Sequence, residues 1–281
     1  MFELWVVVTI AVVGLFAGGL GGLLGIGGST VMIPALVVLF GQGEALPGLA
    51  GAFPHLNQHL YQAAAMIVNV FVAVPATFRH VRAKAVVWPV VYRMLPIALV
   101  AMMLGVWISN LPIFRGSDGP VLLGRVLAAF LVYVIIVNFI RLFRTPRPVD
   151  APVDLTYATW PRTSTAGGIM GLFGGLLGIG GGAIGVPLQQ MLLKLRLRNC
   201  IANSAALMTL TAGLGAFYKN ATLDQHSLAL GDSLLVAALL APTGMIGGYL
   251  GARFTHRIPV RLLRAVLVVF LSIAAWRLAG L

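Results

Sequence analysis

The chain has 281 residues, 59% hydrophobic and only 9% charged, with a mean hydropathy of +0.98. Soluble domains carry about a quarter charged residues, so this composition excludes an ordinary water-soluble fold and asks for a lipid solvent. The net charge of +12 is distributed over short segments between apolar runs, which is the pattern of membrane loops and not of a nucleic-acid surface, so no nucleic-acid partner is expected.

The first five residues lack the basic start of a signal peptide, so the first apolar run is expected to stay in the membrane. In chain order, the apolar runs 4–40, 56–78, 86–108 and 121–143 predict membrane helices, the first of them interrupted by glycines. A polar, proline-bearing stretch follows from Arg144. The runs 164–193 (again interrupted), 199–218, 233–254 and 260–279 predict a second set. The single cysteine, Cys200, excludes an intrachain disulfide and any cysteine-based metal motif.

The two sets repeat. Residues 21–28 and 174–181 share eight letters, Gly-Gly-Leu-Leu-Gly-Ile-Gly-Gly. Pro34 and Pro187 follow at the same distance, and Gly14 and Gly18 match Gly167 and Gly171. Pro96 and Gly105 match Pro242 and Gly251. The expected organisation is a first membrane repeat over 1–143, a cytoplasmic linker over 144–160 and a second membrane repeat over 161–281. If Gln62 is aligned with Asn203, Arg79 falls opposite Asn220.

The basic residues choose a topology. If all eight runs cross, lysines and arginines divide almost evenly between the two sides, against the positive-inside rule. If the two glycine-interrupted runs instead turn back as re-entrant hairpins, 15 basic residues fall on one side and four on the other, the latter being Arg115, Arg125, Lys219 and Arg277. The expected fold is therefore all-α and integral to the membrane. It has two inverted repeats, each a glycine-tipped re-entrant helical hairpin plus three transmembrane helices, as in many secondary transporters. The two tips would meet near the midplane. The basic loops would be cytoplasmic and both termini periplasmic, in a multi-pass protein of a bacterial inner membrane. The stretch 4–20 alone is almost long enough to span, so the first hairpin arm must tilt or protrude.

A helix restarting inside the membrane presents unpaired amides and the positive end of its dipole, a ready place for an anion. The candidates in the first half are Gly27, Gly28, Ser29 and Thr30, with Gly180, Gly181 and Gly182 in the second. The competing reading is that these glycines only let helices pack closely. His55, His59, Gln62, Met66 and Asn69 share one helix face. Gln62 and Asn69, with Gln189, Gln190, Asn203 and Ser204 in the second half, would either offer N–H groups to an anion or bond helix to helix. All seven acids, Glu3, Glu44, Asp118, Asp150, Asp154, Asp224 and Asp232, fall in termini, loops or segment edges, which favours anion over cation cargo. Proton-coupling candidates are His55, His59 and His80, the last equally readable as an interfacial anchor. No nucleophile elbow, zinc helix, P-loop or buried carboxylate pair is present, so no enzymatic activity, cofactor or metal is expected.

These features together carry a family resemblance. The duplicated glycine octet with its following proline, Ala202-Asn203-Ser204-Ala205, the run Phe78-Arg79-His80-Val81-Arg82 before Trp88, and the paired Pro96–Gly105 and Pro242–Gly251 span nearly the whole chain. On them the sequence resembles the sulfite exporter TauE/SafE family, also called the 4-toluene sulfonate uptake permease family. The resemblance implies a secondary transporter of small sulfur anions such as sulfite, sulfoacetate and other organosulfonates across the inner membrane, with export favoured. The alternatives are an uptake permease for thiosulfate, sulfonates or a sulfur amino acid, and a gated anion channel. The expected partners are that small anionic sulfur substrate and the lipid bilayer, with the oligomeric state open. The family usually has Gly-Thr-Ser where this chain has Ala202-Asn203-Ser204, and Gln62-Ala63-Ala64 stands there in the first half. Gln189 and Gln190 follow Leu188, where the family usually has an apolar pair.

Overall fold

The computed structural model describes residues 4–40, 57–116, 118–142 and 155–255, with scattered helical positions between 262 and 276. Among them there is no strand. In chain order the helices are α1 (Leu4–Leu24), α2 (Ser29–Phe40), α3 (Gln58–Arg82), α4 (Trp88–Ser109), α5 (Gly119–Leu142), α6 (Trp160–Leu177), α7 (Gly182–Leu192), α8 (Leu197–Ala221) and α9 (Leu230–Phe254). Short 3-10 turns, Pro112–Phe114 and Leu223–His226, follow α4 and α8. Six of the helices are long and apolar enough to cross a membrane: α1, α3, α4, α5, α8 and α9. Exposed side chains such as Val100, Phe139, Phe217 and Ile246 coat the outside, as lipid-facing surfaces allow. His55 and the 144–154 part of the linker lie outside the described residues.

Both glycine-interrupted runs fold back on themselves. The tip residues Gly25 and Gly27, and Gly178, Gly180 and Gly181, have φ between +65° and +84°, a region that side-chain-bearing residues enter only at a cost. Gly181 and Gly185 face Met170 of α6, so α7 returns along the arm that preceded it. The returning helices begin at Ser29 and Gly182. The first arm, α1, is by itself long enough to cross a membrane.

Each half's first arm packs on the other half's fourth helix, and it does so through glycine. Gly14, Gly18 and Gly22 of α1 face Leu240, Gly244 and Gly248 of α9 in parallel register. Gly167, Gly171 and Gly175 of α6 face Met94, Ala98 and Met102 of α4 in the same way. A Cβ added at Gly14 would lie 2.8 Å from the Leu240 carbonyl oxygen, and one at Gly167 would lie 2.6 Å from that of Met94. Small residues at every fourth position let two backbones touch, which is how helices associate in lipid. Gly18→Ala and Gly171→Ala each push a methyl into the facing backbone, so each is expected to cost at least the ~1–3 kcal/mol of an overpacked core. Thermal unfolding in detergent checks this. Gly231→Ala, with nothing within 4 Å of the added carbon, should leave the melting temperature unchanged or raise it.

The two central helices, α3 and α8, run antiparallel: His59 meets Lys219, Met66 meets Gly215, Val70 meets Gly213 and Thr77 meets Thr209. They are the most enclosed of the six long helices. Lys219, grouped above with the surface loops of the less basic side, is instead a fully buried residue of α8. The sequence places it just before a polar turn, but α8 continues through it to Ala221.

Candidate functional site

The two hairpin tips meet. A Cβ at Gly27 would lie 3.1 Å from the Ile179 carbonyl oxygen, and one at Gly182 would lie 2.8 Å from the Ile26 carbonyl carbon. Two side chains enter from the sides, Asn69 of α3 and Met208 of α8. The Asn69 amide nitrogen lies 2.7 Å from a Cβ at Gly180, and its oxygen 3.4 Å from one at Gly27. The Met208 sulfur lies within 3.4 Å of such carbons at Gly27, Gly180 and Gly182. Gly28 and Gly181 instead turn toward Met32 and Met170 of their own hairpins.

The tips are capped differently. The Ser29 amide at the start of α2 donates to Asn69 Oδ1 (3.0 Å), and Asn69 Nδ2 donates to Ser29 Oγ (2.6 Å). Thr30 Oγ1 donates back to the Ile26 carbonyl (2.9 Å). At the start of α7 no side chain caps the helix, and its N-cap is Gly181. Gln62 packs on Gly178 and donates from Nε2 to the Leu176 carbonyl (3.2 Å). Its buried Oε1 finds no partner among the described residues.

The second-half amides form a separate closed chain of bonds between α7, α8 and the turn before α4. Asn203 Nδ2 donates to Gln189 Oε1 (3.0 Å), Gln189 Nε2 to Ser204 Oγ (2.9 Å), and the Val87 amide to Asn203 Oδ1 (2.7 Å). Gln190 is half-buried beside this chain. His80 is buried near the end of α3 where α8 begins.

His59 sits at the other end of the α3–α8 seam. Its Nε2 lies 2.8 Å from the Phe114 carbonyl and its Nδ1 2.9 Å from Lys219 Nζ. A carbonyl only accepts, so Nε2 carries the proton and Nδ1 accepts from the lysine. His226 stacks on His59 with ring centroids 3.6 Å apart, and its Nε2 lies 3.0 Å from Asn110 Oδ1. Burial, then Lys219 and Arg115, push the His226 imidazole down to about 4 from the usual 6.5, against a weaker upward pull from Asp224. Between those values the unfolded chain binds the extra proton and the folded one does not, so stability must fall as pH drops from 6.5 toward 4. In His226→Gln that decline should be shallower than in the parent protein, as read by thermal unfolding across the window. Parallel curves would contradict it.

The family model for the sulfite exporter TauE/SafE family matches residues 10–278. The chain belongs to that family. Similar TauE/SafE relatives include the probable membrane transporter protein MamO of Paramagnetospirillum magneticum (strain AMB-1), 25% identical over 97% of this chain and 44% of the relative. Another is the protein of the same name from Magnetospirillum gryphiswaldense (strain MSR-1), 25% identical over 90% of this chain and 41% of the relative. The chain thus spans less than half the length of these relatives. No solved structure matches it significantly. The family is one of membrane transporters, not enzymes, in keeping with the multi-pass helical fold.

Within this TauE/SafE fold, Met208 and Lys219 are the residues that sequence reasoning missed. Gly25 packs on Ile201 as Gly178 packs on Gln62, and Asn69 and Met208 take matching places at the tips. Both pairs are 139 residues apart, as are the caps Asn57 and Arg196 and the caps Ala83 and Thr222. This register corrects the alignment of Gln62 with Asn203 by two residues. Counted from the observed caps, the third helix of each half pairs Asn69 with Met208 and His80 with Lys219.

Proposed function

We propose that the protein is a secondary transporter that moves small sulfur-containing anions, such as sulfite, sulfoacetate or other organosulfonates, outward across a bacterial inner membrane. The observation that carries this reading is the meeting of two glycine tips, each starting a helix, inside one bundle. Their amides and dipoles supply positive potential without a lysine or arginine. The uncapped start of α7 and the Asn69 N–H not given to Ser29 Oγ are the donors that would take the anion. The Gln189–Asn203–Ser204 chain supports α7 from behind, with Gln190 beside it. Met208 supplies an apolar, polarizable wall beside the tips.

In this reading, repeats 1–143 and 161–281 are inverted, joined by a cytoplasmic linker over 144–160, and access alternates as one hairpin loosens against the other. The antiparallel α3–α8 seam and the exchanged α1–α9 and α4–α6 contacts support it. The test is counterflow of labelled sulfite in proteoliposomes, competed by sulfonates, thiosulfate, sulfate and carboxylates. Saturable exchange inhibited by the sulfur anions is expected. Flux that never saturates would make the protein a channel, and no exchange with any sulfur anion would overturn the substrate class.

A further inference from the structure

Lys219 is wholly buried, and its ammonium is held by three neutral acceptors, each at 2.9 Å: His59 Nδ1 from α3, and Ser109 Oγ and Asn110 Oδ1 at the end of α4. Three acceptors satisfy three N–H groups, which is the protonated amine. Among the described residues no carboxylate bonds to it. An ion buried without a counter-ion is expensive to keep, so its retention asks for a partner of opposite charge in some state of the protein.

The surroundings supply a further donor, a further cation and an opening. Asn110 Oδ1 is approached by two basic side chains at once, Lys219 Nζ and His226 Nε2. Arg115 Nε donates to the Asn110 carbonyl (2.7 Å), and Arg115 Nη2 to Gln225 Oε1 (2.6 Å). Asn110, though neither Lys219 nor His226, lines a cavity of about 220 Å³ together with Arg115, Gln225, Tyr218 and Trp107 among others. The Asn110 amide thus stands between a buried cation and an open pocket, and its oxygen occupies the point where an anion's oxygen would be met by several donors.

The geometry points to a second anion-binding site, in which a small oxyanion enters this cavity beside Arg115 and replaces Asn110 Oδ1 as the acceptor of Lys219 and His226. Lys219 lies eleven residues beyond Met208 on one helix, about 16 Å along its axis. The site is therefore an access station near one end of the bundle, separate from the tips. At the pseudo-equivalent position near the other end stands His80, also buried. The site's charge rests on its own residues, so it stands or falls independently of which anion is transported.

Trp107 lines the cavity and is the reporter. The full chain, purified in detergent at pH 7, is titrated with sulfate and with sulfite while tryptophan emission is followed, in a background where the other four tryptophans are phenylalanine. Saturable quenching is expected in the parent and in the tip variant Gly180→Ala. Lys219→Gln should weaken it at least tenfold, and Arg115→Gln several-fold. Because Arg115 is exposed, its variant keeps the test decisive if Lys219→Gln fails to fold. Quenching unchanged in Arg115→Gln and in a folded Lys219→Gln would overturn the site, as would no quenching in the parent. Binding at this site without any sulfur-anion counterflow would refute the transport reading alone. Counterflow that ignores both substitutions, with no quenching, would refute this site alone.

Discussion

Gly180→Val is expected to reduce sulfite counterflow to the level of empty liposomes while the protein still inserts and purifies. Gly180 has a φ of +69°, where a β-branched residue is a genuine outlier. Its added Cβ would fall 2.7 Å from the Asn69 amide nitrogen and 3.4 Å from the Met208 sulfur, and the two further methyls would fill whatever space the tips open for an anion. The local cost is a few kcal/mol, about 1–2 from the backbone and about 1–3 from overpacking. That is enough to wreck the tip but spread over few residues. The helix contacts through Gly18 and Gly171 lie elsewhere and should hold the bundle together. Counterflow and size-exclusion profiles measured on the same preparation separate the two effects. Full transport by a monodisperse Gly180→Val protein would remove the tips from the pathway.

Asn69→Asp makes the converse test, because it changes charge with almost no change in shape. The carboxylate still accepts from the Ser29 amide, so the α2 cap survives, while the N–H donated to Ser29 Oγ is lost. A negative charge within about 4 Å of a bound anion costs roughly 4 kcal/mol at an effective dielectric constant of 20. That corresponds to an affinity loss of about a thousandfold. The apparent KM for sulfite should therefore rise beyond the measurable range, whereas Asn69→Ser should retain part of the activity. An unaltered KM in Asn69→Asp would mean that the anion never passes the tips.

Much of the architecture was legible because lipid imposes simple rules. Long apolar runs give the helices, and the duplicated octet gives the two breaks at Gly25–Gly28 and Gly178–Gly181. The returning helices start at Ser29 and Gly182, directly at the glycine breaks, because the restart is set by glycine backbone preference, a local property. The site itself was harder to read. Ser29, Thr30 and Asn69 look like free donors in the sequence, yet they spend their hydrogen bonds on one another and on the Ile26 carbonyl. Gln189, Asn203 and Ser204 do the same further along α7. Which buried polar groups pair is a tertiary matter that no spacing rule contains. Met208 stayed hidden because an apolar residue on an apolar helix carries no local signal. Lys219 stayed hidden because a lysine beside a polar turn reads as a loop residue until the helix is seen to run through it.

The most direct test of the central claim, that the paired tips hold the substrate, is protection of a tip cysteine. Cys200→Ser removes the native thiol and Ser29→Cys places one at the start of α2. Its rate of modification by a small water-soluble thiol reagent is then followed with and without sulfoacetate. The account predicts slow modification that sulfoacetate slows further, with the same half-maximal concentration at which it inhibits sulfite counterflow. Modification that proceeds at one rate at every sulfoacetate concentration, in a protein that still transports saturably, would contradict it.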